Sequence, residues 1–299
     1  MYTLLSENMA ENEKVRVDIF TQNSPIGKPQ PTKTLTDGTD TDTFILANLF
    51  KETMNVEVKP HHNMKKQELQ ELIEGIRDKC EVYFFVFLTY LHDKDQTTGG
   101  VRIQCYDAEI SLEEIFDLVK DKPPFIGKQK IFLVQADDPR ILRWATKVGG
   151  FDGDEIPFPV PIPKIPTDCD RLMMFSTLPQ QLSLYLPTAR TRQITSGVRN
   201  INLTDGGKAV TSPSDNSPNP NDKASLLVAA FDEVLRAALA DEALRKEDLL
   251  TQTTRINGSI YLKIKQLNTL KKFEDKKFQI PLVTSTLRKQ VCMLDYSTK

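Results

Sequence analysis

Three polar residues whose side chains could carry out chemistry lie at the end of an apolar run of the sequence. Gln135, Asp137 and Asp138 follow residues 131–134, an Ile-Phe-Leu-Val segment that comes after a turn at Gly127. A continuous apolar run bounded by turn signals predicts a central strand that is covered on both faces. Because ligands of open α/β sheets bind at the carboxyl ends of the strands, the sequence predicts a site at this point. Paired carboxylates with a neighbouring base can perform acid–base chemistry there.

The histidines and cysteines do not form a metal-ligand pattern. His61 and His62 are adjacent, with no cysteine at ligand spacing, and are expected to be surface residues before a helix. The cysteines lie far apart, at Cys80, Cys105, Cys169 and Cys292. We therefore expect free thiols in a reducing compartment, the cytoplasm, with no metal and no cofactor.

The composition narrows the classes of partner. The 299 residues are 39% hydrophobic and 27% charged, with a formal net charge of −2, which is typical of a soluble globular protein. A basic excess that would favour nucleic acid is absent, as is a Lys/Arg block for an anionic membrane. No apolar segment approaches the roughly 20 residues of a membrane span, and the polar amino terminus does not predict a signal peptide.

Strands and helices are predicted to alternate around the central strand. Strands are expected over residues 15–20, 55–59, 82–89, 170–176 and 279–284, with a hairpin over 101–106 and an edge piece over 289–294. Helices are expected over residues 45–53, 65–78, 112–120, 140–148, 225–245 and 247–270. Asp40 or Asp42 is expected to cap the first helix, and Ser111 with Glu114 forms a capping box for the third. This order predicts a mostly parallel sheet between layers of helices.

Irregular segments divide the chain into parts. Residues 1–35 are predicted to be a short amino-terminal arm, and residues 151–169 a proline-rich linker that excludes helix and inner strand. The segments 36–150 and 170–299 are expected to build one αβα unit. The second of them carries an irregular insertion over residues 186–223.

Several motifs resemble those of the caspase family. Residues 127–136 (GKQKIFLVQA) are similar to the strand that leads to the caspase nucleophile, and residues 170–179 (DRLMMFSTLP) resemble the start of the small subunit. Residues 279–287 (QIPLVTSTL) resemble the last core strand, and residues 38–42 (GTDTD) the first specificity loop. The resemblance implies a three-layer αβα sandwich, large-subunit-like before the proline-rich linker and small-subunit-like after it.

The catalytic positions depart from the family pattern. Asp137 occupies the position of the nucleophilic cysteine, Tyr90 that of the histidine, and Leu91 that of a glycine whose N–H contributes to the oxyanion hole. The attacking group in this chemistry is a thiolate. The resemblance therefore implies an inactive homologue, a pseudo-caspase or decoy caspase. His92, which precedes Asp137 by 45 residues, is a second candidate for the base.

The former substrate pocket departs from the family as well. Caspases hold a substrate aspartate between two arginines and a glutamine, through charge-assisted hydrogen bonds. Gln135 matches the glutamine, whereas the arginine positions are Thr36 and Tyr185. Arg190 or Arg192 of the insertion could reach the pocket instead.

The resemblance also implies a partner. Caspases dimerise through their last strand, and this chain retains a similar strand over residues 279–285. Its expected dimer-forming residues are Gln279, Ile280, Leu282, Val283, Thr284 and Ser285. Because an exposed strand edge is a template for pairing, we expect a homodimer or a heterodimer with an active caspase. Such a heterodimer would regulate apoptosis or another caspase pathway.

Two enzymatic alternatives stay open at this point. A hydrolase could use His92 with Asp137 or Asp138. A cysteine peptidase could use Cys105 or Cys169, although neither follows the central strand.

Proteolytic processing is a further expectation. Caspases cut after aspartate in exposed loops, and two such aspartates lie in the irregular segments. They are Asp168 in the linker and Asp205 in the insertion.

Overall fold

The structure, a computed structural model, describes residues 14–23, 37–92, 100–138, 141, 169–186, 224–271, 273–274 and 276–292. The helix expected over residues 140–148, the linker and the insertion lie outside these ranges, apart from Ile141, Cys169 and Leu186.

A six-stranded sheet forms the centre of the molecule. The described strands are β1 (Val15–Thr21), β2 (Val58–His62), β3 (Val82–Tyr90), β4 (Arg102–Gln104), β5 (Glu109–Ser111), β6 (Gln129–Asp137), β7 (Arg171–Ser176) and β8 (Leu282–Ser285). The sheet order is β2-β1-β3-β6-β7-β8, and β4 with β5 forms a separate antiparallel hairpin. Neighbours in the large sheet are parallel except for β7 and β8. The predicted mostly parallel sheet is therefore confirmed.

Helices connect and cover these strands. They are α1 (Asp37–Met54), α2 (Lys66–Glu74), α3 (Leu112–Val119), α4 (Leu226–Ala240), α5 (Glu242–Arg245) and α6 (Leu249–Leu267), with a 3-10 helix over Gln180–Tyr185. None of the helices within the described ranges is long and apolar enough to cross a membrane.

Both faces of the sheet are buried, as a three-layer sandwich requires. Phe84 and Val86 of β3 belong to a core cluster shared with α1, α4 and α6, whereas Phe85 and Phe87 belong to a cluster shared with α2 and α3. Burying each large apolar side chain contributes roughly 1.5–3 kcal/mol. Because a slip of one residue would exchange the two faces, this alternation fixes the register of the central strands.

The helix ends confirm one capping prediction and correct one length. Ser111 Oγ accepts a hydrogen bond from Glu114 N at 3.0 Å, and the Glu114 carboxylate accepts one from Ser111 N, so the predicted capping box opens α3. The single helix expected over residues 225–245 is instead divided at Asp241. The carboxylate of Asp241 caps α5 by accepting hydrogen bonds from the backbone N–H groups of its first turn.

The capping role expected of Asp40 or Asp42 is wrong. Helix α1 already begins at Asp37, so both residues lie inside it. The Asp42 carboxylate is buried and accepts a hydrogen bond from Ser225 N at 2.8 Å, at the start of α4. Aspartate usually favours helix caps, but here the hydrogen bond from Ser225 stabilises Asp42 inside the helix.

The second strand lies a few residues later than predicted. The strand expected over residues 55–59 lies at β2, which places His61 and His62 in a strand rather than before a helix. His61 Nε2 lies 2.9 Å from Oδ1 of the buried Asp18, which also pairs with Arg16. The histidine ring thus contributes to satisfying a buried carboxylate on the neighbouring strand.

The last strand is shorter than expected. It spans only Leu282–Ser285, so Gln279 and Ile280 precede it, and the described part of the segment 289–294 contains no strand. Pro281, which lacks an N–H group and is buried, marks the start of β8.

Candidate functional site

The predicted site lies where two adjacent strands end. Tyr90 closes β3, Asp137 closes β6, and the two residues are direct neighbours across the parallel ladder. Beside them, Leu88 is opposite Gln135 in the same register. A narrow pocket, partly open to solvent, lies at this carboxyl edge.

Hydrogen bonds hold the carboxylate of Asp137 in place. Gln135 Nε2 donates to its Oδ1 at 2.7 Å, and the backbone N–H of Gln180 donates to its Oδ2 at 3.1 Å. The carbonyl oxygen of Asp137 accepts from Leu91 N at 3.0 Å, which extends the β3–β6 pairing by one bond. Asp137 is therefore an ordered part of the strand end.

The amide of Gln135 has a fixed orientation. Its Nε2 donates to Asp137 Oδ1 and, at 2.6 Å, to the carbonyl oxygen of Leu178. A carbonyl oxygen can only accept, so the nitrogen must be on this side of the amide. The other end, Oε1, is buried and accepts no hydrogen bond from the described residues.

A second buried carboxyl group, Asp42 of α1, lines the same pocket. Burial, with a smaller contribution from the nearby charge of Asp137, raises its pKa to about 7 against the opposing hydrogen bonds from Ser225. Burial likewise raises the pKa of Asp137 to about 6, opposed by the hydrogen bonds from Gln135 and Gln180. These two carboxyl groups dominate the charge of the pocket.

Tyr90 and Leu91 lie where the sequence comparison expects a base and an oxyanion donor. The Tyr90 hydroxyl lies 3.4 Å from the carbonyl oxygen of Asn23, and its pKa is raised by burial and by the charge of Asp137. A phenol with a raised pKa keeps its proton at neutral pH. The N–H of Leu91 is already used by the carbonyl oxygen of Asp137.

The described contacts of the His92 side chain and backbone N–H are with the β4–β5 hairpin. Its Nε2 lies 2.5 Å from Glu109 Oε2, and its backbone N–H donates to the carbonyl oxygen of Arg102 at 3.0 Å. Glu109 also pairs with the Arg102 guanidinium. The structure therefore brings Tyr90, Gln135 and Asp137 together, and it gives His92 a carboxylate partner on the hairpin.

The cysteines lie away from the end of β6. Cys169 precedes β7, which runs parallel to β6, so it lies at the amino edge of the sheet, opposite Asp137. Cys105 is buried, and burial raises the pKa of its thiol to about 12. Such a thiol is not a thiolate at neutral pH.

Other predicted site residues are distributed as follows. Tyr185 ends the 3-10 helix, and its ring packs edge-on against Phe273 at 5.1 Å rather than lining the pocket. Thr36, Arg190, Arg192, Asp168 and Asp205 lie outside the described residues.

Within the described ranges, the structure holds no group of three or more His, Cys, Asp or Glu side chains that could bind a metal ion.

Six of the residues that line the pocket were not named as site residues from the sequence. They are Thr39, Asp42, Leu88, Thr89, Gln180 and Gln181. Asp42 carries a weak signal, a carboxylate beside an apolar helix face, but that pattern equally favours a cap. The two glutamines reach the pocket through the 3-10 helix after β7, for which the sequence has no distinctive pattern.

Comparison with known proteins agrees with this architecture. The family described as Caspase domain matches residues 30–292. A solved structure titled pro-sf-caspase-1 is 19% identical, with a TM-score of 0.60, and the match covers 95% of this chain and 96% of that one. Caspase-1 from Spodoptera frugiperda is 18% identical, with a TM-score of 0.56 and coverage of 96% and 92%.

No curated protein sequence matches the chain. The solved structures, at this level of identity, show the likeness of fold, and the family match spans most of the sequence. The six-stranded, mostly parallel sheet flanked by helices agrees with that match. The chain therefore belongs to the caspase family.

Proposed function

We propose that this chain is a non-catalytic caspase homologue that regulates an active caspase by pairing with it through β8. The observation that carries the proposal is the end of β6. At the position of the family's nucleophile stands Asp137, whose carboxylate is held by Gln135 and Gln180.

The chemistry of peptide hydrolysis requires more than a negative group at this position. The reaction needs a strong nucleophile, a base and a donor for the oxyanion. A carboxylate is a poor nucleophile toward an amide, Tyr90 retains its proton, and the Leu91 N–H is paired. Removal of the nucleophile from a hydrolytic triad lowers turnover by about 10⁶ in subtilisin.

The edge of β8 supports the pairing step. β8 pairs only with β7 within the described sheet, so its outer edge is open. Its sequence, Leu-Val-Thr-Ser, contains no charge and no proline that would block a further strand. Leu282 packs toward one core cluster and Val283 toward the other, and both are only partly buried.

A proline substitution tests this edge. The N–H of Thr286 donates to Arg171 O on β7, so alternation along an antiparallel strand directs the N–H of Ser285 outward. Ser285→Pro removes that outward donor, and Ser285→Val keeps it as the matched control. We expect the full chain, alone and mixed with candidate active caspases, to form dimers by light scattering after size exclusion.

Peptidase assays of the same mixtures complete the test. We expect Ser285→Val to pair and to change caspase activity as the unsubstituted chain does, whereas Ser285→Pro loses both effects. A monomer in every mixture, or equal pairing by the two variants, contradicts the proposal. Hydrolysis of a broad peptide and ester library by the chain itself would instead support the alternative that uses His92 with Asp137 or Asp138.

A further inference from the structure

The pocket at the end of β6 has the opposite polarity to a site for a carboxylate. Two carboxyl groups, Asp42 and Asp137, and the amide side chains of Gln135 and Gln181 line it, together with the Tyr90 hydroxyl. None of its described lining residues is a lysine, an arginine or a histidine. Two buried carboxylates without a cation disfavour each other's charge, which is why burial and mutual repulsion raise the pKa of Asp42.

We propose that this pocket binds an organic cation, the guanidinium or ammonium end of a basic side chain on a peptide. This assignment does not depend on β8 or on the pairing proposed above, because it uses only residues at the carboxyl edge of the sheet.

A second observation, independent of the acidic residues, points to the same ligand. Gln135 is only 3% exposed, and both partners of its Nε2 accept hydrogen bonds, so its Oε1 is an acceptor to which none of the described residues donates. Gln181 Oε1 is also buried without a hydrogen bond from the described residues. Buried acceptors of this kind usually have donors. A ligand that carries several N–H groups would satisfy them.

The donor and acceptor inventory favours an organic cation over a metal. The pocket offers acceptors, and several of its side-chain donors already have partners: Gln135 Nε2 donates to Asp137 and Leu178, Thr39 Oγ1 to Asn23 and Thr89 Oγ1 to Gln104. Calcium takes six to eight oxygen ligands, with several carboxylates or carbonyls. Among the described residues, no three His, Cys, Asp or Glu side chains come together as a metal site would require.

The size of the pocket sets the part of the ligand that enters. The free space between the lining side chains is narrow and partly open to solvent, so the pocket could admit only the tip of one side chain and not a folded segment. The planar guanidinium, with five N–H donors, matches acceptors that lie on different sides, whereas an ammonium offers three. We therefore expect arginine to bind at least as well as lysine.

A set of capped peptides tests the charge of the ligand. The probes are acetyl-Ala-Ala-Ala-X-amide with X as arginine, lysine, citrulline or aspartate, and free agmatine, measured against the full chain by calorimetry. Citrulline has nearly the shape of arginine without the charge. We expect the arginine peptide to bind at least about 10-fold tighter than the citrulline peptide, since hydrogen bonds between charged groups are stronger than neutral ones.

The arms of this experiment separate the possible ligands. Tighter binding of the arginine peptide than of agmatine supports a peptide ligand. Equal binding of the arginine and citrulline peptides, binding of the aspartate peptide in preference, or displacement by calcium or magnesium at lower concentration would overturn the proposal. Agmatine binding tighter than every peptide would overturn the peptide source of the cation.

Two variants locate the binding in this pocket. Asp137→Asn should weaken the arginine peptide by about 10-fold or more, while Asp117→Asn, the same change on the exposed side of α3, should leave it unchanged. Thr39→Arg places a guanidinium of the chain itself at the pocket wall and should block the probe. If Asp137→Asn does not fold, Thr39→Arg is the deciding variant. Undiminished binding of the arginine peptide by the Thr39→Arg protein would show that the peptide binds elsewhere. Ser285→Pro should bind the peptide normally, which separates this result from the test of pairing.

Discussion

At the scale of single residues, the main features of the site are two carboxyl groups whose pKa values are raised by burial. Asp42 and Asp137 come from different elements, α1 and β6, and both are almost completely buried. Each keeps hydrogen-bond donors, from Ser225 and from Gln135 and Gln180. The donors offset only part of the desolvation, so the pKa of each group stays above its usual value.

Asp42 should make the stability of the folded chain depend on pH. Because its pKa rises from 3.8 in the unfolded chain to about 7 in the folded one, the folded state binds the proton more tightly. The free energy of unfolding should therefore fall as the pH rises from 4 to 7, by at most about 4 kcal/mol from this group. Asp42→Asn keeps an oxygen for Ser225 N, and urea unfolding at pH 4, 5, 6 and 7 should show a flatter profile. Parallel profiles for the two proteins would contradict this account.

Restoring the nucleophile alone should not restore hydrolysis. Asp137→Cys places a thiol at the end of β6, but the adjacent base position is still Tyr90, whose proton stays in place at neutral pH. We expect no cleavage of a fluorogenic aspartyl peptide above the level of the unsubstituted chain, with an active caspase as the positive control. Turnover above the level of the unsubstituted chain would show that the base has another source.

The sequence located Gln135 and Asp137 correctly at the end of the central strand. Their placement follows from a local pattern, an apolar run with turn signals on both sides. Asp42 escaped prediction because its role depends on Ser225, which lies 183 positions along the chain. A hydrogen bond of that sequence separation leaves no periodic signal.

At the scale of elements, caps and strand ends account for most differences between expectation and structure. The continuous apolar strands β3 and β6 and the capped helix α3 are where the sequence predicts, because burial and a capping box act locally. Helix α1 begins earlier, since a tertiary hydrogen bond stabilises Asp42 inside it. Strand β8 begins later, at Leu282, directly after Pro281.

The capping box of α3 should contribute measurably to stability. Ser111→Ala removes the acceptor for Glu114 N and should lower the free energy of unfolding by about 1 kcal/mol. Asp117→Ala, on the exposed side of the same helix, is a control that leaves the cap intact. Denaturant titration should show a lower midpoint for Ser111→Ala only, and an equal loss in both variants would indicate a general effect of the helix surface.

At the scale of the whole molecule, the two parts of the chain on either side of the linker form one body. β6 comes before the linker and β7 after it, and they pair along six positions in the interior of the sheet. Asp42 and Ser225 add a buried hydrogen bond between the same two parts. Both core clusters also contain residues from each part.

Cutting the linker should therefore leave the molecule assembled. A specific protease site introduced into residues 151–168, followed by complete cleavage, should yield two fragments on a denaturing gel. We expect one species on native size exclusion, with an unchanged circular dichroism spectrum, because the β6–β7 ladder and the shared cores persist. Fragments that separate without denaturant would show that the linker itself holds the parts together.

The two outer strands of the sheet are unlike each other, and this difference limits how far assembly can go. β2 forms the other edge of the described sheet and carries Lys59, Pro60 and two histidines, residues that discourage the docking of a further strand. β8 is the edge without such residues. A second chain that docks there by two-fold symmetry covers both β8 edges at once and exposes only the two β2 edges. The proposed association through β8 would thus be self-terminating and would produce a closed pair rather than a fibre.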